Sequence, residues 1–199
     1  LMAITISGSG ITSANIADGT IVNADINSSA AIDGSKLTAA GGKVLQVITD
    51  TKTDKASGTN TQASFVALSG LSATITPSST SSRILIIAHI SVGASNYSTQ
   101  VKLRRDSSSL VEASGDDDGN SNRITAAAMA STDANDNDDD IDVISFNFVD
   151  SPSSTSAITY DFLINGRANS WAVNAPYDTS DNNYRSRAMS SITLMEIGA

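Results

Sequence analysis

The sequence predicts an all-β protein: an antiparallel β-sandwich or jelly-roll head behind an extended N-terminal arm. Three observations carry this. The 199 residues include 33 Ser with many Thr, Ala and Asn, and the acids are 19 Asp against 2 Glu. Such small, turn-forming residues make poor helices, because their side chains compete for backbone hydrogen bonds. Several short runs alternate apolar and polar residues with the period of two that half-buried strands require. The first 42 residues instead repeat a large apolar residue every five positions, which fits neither a helix nor a strand.

In the arm the apolar positions are Ile6, Ile11, Ile16, Ile21, Ile26, Ile32 and Leu37, spaced 5, 5, 5, 5, 6 and 5 apart. A fixed period marks an array whose units cannot bury their apolar residue alone. Three chains wound side by side could point Ile11, Ile16, Ile21, Ile26, Ile32 and Leu37 at a shared axis. Asp-Gly and Asn turns would re-aim each chain between contacts. A polar linker with accidental spacing is the alternative reading.

From residue 43 to 199 the texture is that of a β-rich head. Strands are expected at 43–50, 63–68, 71–76, 83–93, 98–105, 108–113, 122–131, 142–149, 156–165, 169–174 and 187–197. Ile144, Phe146 and Phe148 share one face, as do Ile158, Tyr160, Phe162 and Ile164. The Ala-rich run from Thr125 to Ala130 is the one ambiguous segment. The stretches Ile84–Ile90 and Ile192–Ile197 are apolar on both faces, so their second face needs cover from another sheet or another subunit. Together with the arm, this predicts a homotrimer.

Charge and composition exclude several classes. A net charge of -9 disfavours nucleic acid and anionic lipid surfaces. No apolar run approaches the ~18 residues of a membrane helix. Cysteine is absent, which removes disulfides, thiol catalysis and cysteine-ligated zinc. His89 is the single histidine; it sits mid-strand, with no Gly-x-Ser-x-Gly elbow in the chain. As candidate catalytic carboxylates, Asp161 and Glu196 are embedded in strands and Asp142 and Asp150 stand at strand ends, and Glu196 reads as a buried or subunit-interface hydrogen-bond acceptor. No enzymatic activity is expected.

Particular segments resemble a known family. The run from Ile11 through Ile21, with Asn23-Ala24-Asp25-Ile26 and Ser35-Lys36-Leu37, is similar to a repeat of bacteriophage tail-fibre and related virion proteins, marine phages above all. Ile75-Thr76-Pro77-Ser78-Ser79 through Ser82-Arg83-Ile84-Leu85, Asp150-Ser151-Pro152 with Tyr160, and the closing Ile192-Thr193-Leu194-Met195-Glu196-Ile197 resemble segments of phage fibre heads. The resemblance implies a C1q/TNF-like jelly-roll head, a homotrimer, and a place in the virion. The arm, 1–42, would then bind other virion proteins or thread a stalk. Residues 114–142 depart from the family pattern.

Two candidate sites follow. The acidic segments 116–120 and 133–142 hold nine of the 19 Asp. Asp133, Asn135, Asn137 and Asp139 have the alternate spacing of a calcium loop, but Asp138 and Ile144 stand where such a loop needs Gly and Glu. Solvated loops without a cofactor are the first reading and weak Ca²⁺ binding the second. The second candidate is a receptor surface built from Trp171, Tyr177, Asp178, Asn182, Asn183, Tyr184 and Arg185, where rings offer stacking faces and polar groups fix sugar hydroxyls. Trp171 alternates with Val173, so core packing competes with that role. The functional expectation is a non-enzymatic virion fibre whose head contacts a host-surface glycan. A capsid-attached head fibre or decoration protein is the rival in role. A secreted lectin-like module is the rival in class, disfavoured because the first residues carry no basic region or cleavage-like site.

Overall fold

The computed structural model describes residues 44–198 except 62, 94–96, 111–112, 117, 120–123, 133–139, 168, 179–182 and 184. The chain divides between Ala40 and Gly41. The first unit, with the repeat Ile11 to Leu37, lies outside the described residues.

The second unit is all β, with no helix among the described residues. Its strands are β1 (Val44–Lys52), β2 (Ala56–Thr59), β3 (Val66–Ile75), β4 (Arg83–Gly93), β5 (Tyr97–Arg105), β6 (Ser108–Ser109), β7 (Ala128–Thr132), β8 (Asp142–Asp150), β9 (Ile158–Gly166), β10 (Ser170–Val173) and β11 (Ser190–Ile197). They form two antiparallel sheets, consistent with a β-sandwich. In sheet A, β11 lies between β1 and β4, and β8 pairs with β4. In sheet B, β9 lies between β3 and β5, and β7 pairs with β5. Val92 pairs with Asp142 of β8 and with Val173 of β10, so β10 stands on the β11 side of β4. There it continues the line of β11, and β2 continues the line of β1.

Alternation fixes which face is buried. Ile84, Ile86, Ala88 and Ile90 of β4 and Ile192 and Leu194 of β11 point inward, as do Ile158, Tyr160, Phe162 and Ile164 of β9. Phe146 meets Phe162 edge to face at 6.2 Å and 89°, an arrangement that adds about 1 kcal/mol beyond area burial.

Several boundaries differ from expectation for identifiable reasons. The strands expected at 63–68 and 71–76 are one strand, β3, whose register shifts between Leu68 and Ser72. Gly70, at φ +79, lies in that irregularity, and the three extra residues, Ser69 to Leu71, let both Leu68 and Leu71 face the core. Such a φ costs glycine nothing. Asp106 and Ser107 both take positive φ and make the tight two-residue hairpin turn that starts the strand at Ser108; the strand expected at 108–113 shortens to Ser108–Ser109 because the chain turns after it, with Ala113 N donating to Leu110 O. The strand expected at 122–131 starts only at Ala128. β2 lies outside every strand the sequence predicts.

The strands also give the sandwich two distinct ends. Val44 pairs with Ile197, and Lys52 pairs with Ser190. The chain therefore enters at the end where β11 finishes. Residues 53–55, 167, 169, 174–178, 183 and 185–189 follow strands that end at the opposite end, a strand length or about 30 Å away.

Candidate functional site

At that opposite end, Asn174 closes the break between β1 and β2. Its Nδ2 donates to Lys52 O at 2.8 Å and to Asp54 O at 3.0 Å, and its Oδ1 accepts from Ser190 Oγ at 2.6 Å. Its own N–H donates to Ser91 O, and its carbonyl accepts from Ala188 N. The residue is fully buried, at φ +61, a conformation Asn tolerates better than most residues. It is the fixed root of the segment that follows β10.

The candidate receptor residues separate by position. Tyr177 is 37% exposed, and Asn183 is exposed. Asp178 and Arg185 form an ion pair across the segment. Asn182 and Tyr184 lie outside the described residues. Trp171 is only 7% exposed and covers Gly58, where an added Cβ would come 2.7 Å from the indole. Its ring belongs to the core and presents no face to a ligand.

The acidic segments are described only in part. Asp118 N donates to Asp116 Oδ1 at 3.2 Å. Asp133, Asn135, Asn137 and Asp139 lie outside the described residues. Among the described residues, no group of three His, Cys, Asp or Glu is placed to hold a metal.

The residues that carried the family resemblance turn out to bond one another inside the sandwich. Glu196, fully buried, accepts from Ser78 N at 2.7 Å, Ser78 Oγ at 2.6 Å and Gln46 Nε2 at 2.6 Å. Burial pushes its carboxyl up, but the donors from Ser78 and Gln46 outweigh that and hold it at about 2. Asp150 accepts from Tyr160 OH at 2.6 Å and from Arg105 Nη1 at 2.8 and 2.9 Å. Burial, then the bond to Asp150, pushes the Tyr160 phenol far above its ordinary range, so it stays a donor. A cleft of about 300 Å³ opens beside this group, lined by Arg105, Phe148, Val149, Asp150 and Ser151.

The outer faces of the two sheets differ. Sheet B carries Arg104, which grips Asp161 with two bonds of 2.6 and 2.5 Å, and Lys102, whose Nζ sits 4.6 Å from the Phe65 ring. On sheet A one row runs Val47, Met195, Leu85, Val149, and the next runs Thr49, Thr193, Ile87, Asn147. Val47, Val149 and Ile87 are 52%, 44% and 39% exposed. The outward positions of β1, β11, β4 and β8 hold no carboxylate. Arg83 and His89 are the only ionisable residues there. His89 has Ser191 and Ser145 as its register neighbours, so no carboxylate partner flanks it as a triad would require.

Comparison with protein-family models and with curated proteins finds no match for this chain.

Proposed function

We propose that this chain is a non-enzymatic virion fibre protein. In this reading it is a homotrimer whose arm engages other virion proteins and whose jelly-roll, C1q/TNF-like head contacts a host-surface glycan. The observation that carries the reading is the outer face of sheet A. It is apolar at one end and without carboxylates throughout, on a chain whose net charge is -9. Depletion of charge around apolar residues is the mark of a surface that a partner covers, and copies of an acidic chain repel least where they carry no acid.

Strand order supports the jelly-roll part. The eight longer strands pair first with last and so on inward: β1 with β11, β3 with β9, β4 with β8, β5 with β7. That is the pattern of a long hairpin rolled into two sheets. Direction supports the receptor part. Tyr177, Asp178, Asn183 and Arg185 stand at the end away from Val44, where three copies would present three sites and gain by avidity.

Two measurements test the reading. Light scattering should report three chains; a clean monomer at micromolar concentration refutes the assembly. Purified protein should adsorb to host cells, and Tyr177→Ala with Tyr184→Ala should reduce adsorption while leaving the mass unchanged. If the unmutated protein adsorbs to no host cell, the glycan role falls and the capsid-attached decoration protein takes its place.

A further inference from the structure

We propose that the cleft beside Arg105 and Asp150 binds one neutral sugar ring. The site goes beyond the glycan contact proposed above and does not depend on the assembly. It stands at the other end of the sandwich from Tyr177: Asp150 pairs with Ile84, next to Arg83, whose partner is Ile197.

β8 stops at Asp150, and Pro152 has no N–H with which to extend the ladder. The chain then leaves sheet A for sheet B, where β9 starts at Ile158. The cleft of about 300 Å³ lies at this corner. Its wall is fixed before any ligand arrives, because Asp150 is held by Tyr160 OH at 2.6 Å and by Arg105 Nη1 at 2.8 and 2.9 Å. A ligand therefore spends little affinity on ordering these side chains. Oδ2 of Asp150 accepts two of the bonds and Oδ1 one, so Oδ1 keeps a lone pair for a further donor. The Arg105 side chain is 35% exposed. Ser151 is exposed, and its hydroxyl has no partner among the described residues. Half-buried Phe148 and exposed Val149 supply the apolar part of the lining.

Charge selects the ligand class. Arg105 and Asp150 cancel, and each is the other's partner. An anion would compete with Asp150 for Arg105 and would approach a chain of net charge -9. A cation would compete with Arg105 for Asp150. A wholly apolar ligand would strip water from both charges and return no hydrogen bond. A pyranose avoids all three costs. Its hydroxyls donate to Asp150 Oδ1, exchange bonds with Ser151 and face the positive guanidinium, while its C–H face lies against Phe148. The volume is at the lower end of the range for small-molecule sites, about 300–1,000 Å³, which suits one ring rather than a chain. So few contacts give a Kd on the order of 1 mM.

The test is NMR titration of the isotope-labelled full chain with the methyl glycosides of glucose, galactose and mannose, and with glucuronate and glucosamine as charged controls. At least one neutral glycoside should bind and shift the amides of Phe148, Val149 and Ser151. Both charged sugars should bind about tenfold more weakly or less, since each gives up one charge pairing. Ser151→Trp fills the cleft from its exposed rim, touches none of the bonds to Asp150, and should abolish binding. Arg105→Lys keeps the cation, loses the planar fork, and should weaken binding about tenfold. Tyr177→Ala with Tyr184→Ala should bind the sugar as the unmutated chain does. Absence of shifts with all three neutral glycosides at tens of millimolar, equal or tighter binding of a charged sugar, or undiminished binding by Ser151→Trp and Arg105→Lys overturns the site. Binding lost only in the Tyr177 and Tyr184 variant also overturns it and leaves the receptor surface standing. Where Ser151→Trp abolishes binding, host-cell adsorption identifies the source of the ring: reduced adsorption makes it part of a host glycan, and unchanged adsorption makes it a free sugar.

Discussion

Replacing Glu196 by Gln isolates the contribution of one buried charge to the head. The carboxylate accepts three hydrogen bonds from Ser78 and Gln46 within 2.7 Å. Gln is nearly isosteric but offers one acceptor oxygen, and its amide nitrogen turns a donor toward another donor. The magnitude follows from linkage. The folded carboxyl titrates at about 2, against an ordinary value of 4.5. At 1.36 kcal/mol per unit the difference is about 3 kcal/mol. Since the folded value is the lower one, the unfolded chain binds more protons between pH 2 and 4.5. The contribution is therefore complete above pH 4.5 and is lost as pH falls through 2. A domain of this size shifts its Tm by roughly 2–4 °C per kcal/mol. Glu196→Gln should thus melt about 6–12 °C lower at pH 7 by circular dichroism, and the gap should narrow at pH 2.5. A gap under about 2 °C at pH 7, or one that stays constant with pH, would refute this account of the Ser78–Glu196–Gln46 cluster.

Other expectations follow from the same structure. Tyr160→Phe removes the donor to Asp150 inside the sandwich and should cost about 1–3 kcal/mol in urea unfolding; a neutral result would mean that Arg105 alone satisfies Asp150. Asn174→Ala strips two donors from the β1–β2 break and leaves Lys52 O and Asp54 O without them. It should cost about 2–4 kcal/mol and speed proteolysis within 174–189, and unchanged cleavage would deny that Asn174 roots the segment. Millimolar Ca²⁺ should raise the Tm by less than about 2 °C, the gain expected when ligand merely equals Kd. A rise of many degrees, removed by chelator and by Asp139→Ala, would establish a calcium site.

The parts of the head legible in the sequence were those governed by local period. Ile158, Tyr160, Phe162 and Ile164 alternate cleanly, and all four are buried. β2 was invisible because Ala56-Ser57-Gly58-Thr59 has no large apolar residue to set a period. It is a strand because β10 pairs with it and Trp171 fills the space over Gly58. β3 read as two strands because Leu68 and Leu71 fall on opposite parities, and only the irregularity around Gly70 reconciles them. The motif residues were legible as residues but not as partners. Ser78 and Glu196 are 118 positions apart, and only sheet register brings them together. Residue type does not separate an exposed amide, like Asn183, from one, like Asn174, that replaces a missing backbone partner.

The central place of β11 in sheet A bears on how the chain is made. β11 is the last strand in sequence, yet it separates β1, the first, from β4. Until residues 190–197 leave the ribosome, the edges of β1 and β4 have no partner in the chain. The nascent head must wait with Ile84, Ile86 and their neighbours incompletely covered, a state prone to misassociate. Closure then requires pairing between residues as far apart as Val44 and Ile197, a slow kind of contact to form. A domain made this way is completed in one late step, the insertion of residues 190–197 between β1 and β4.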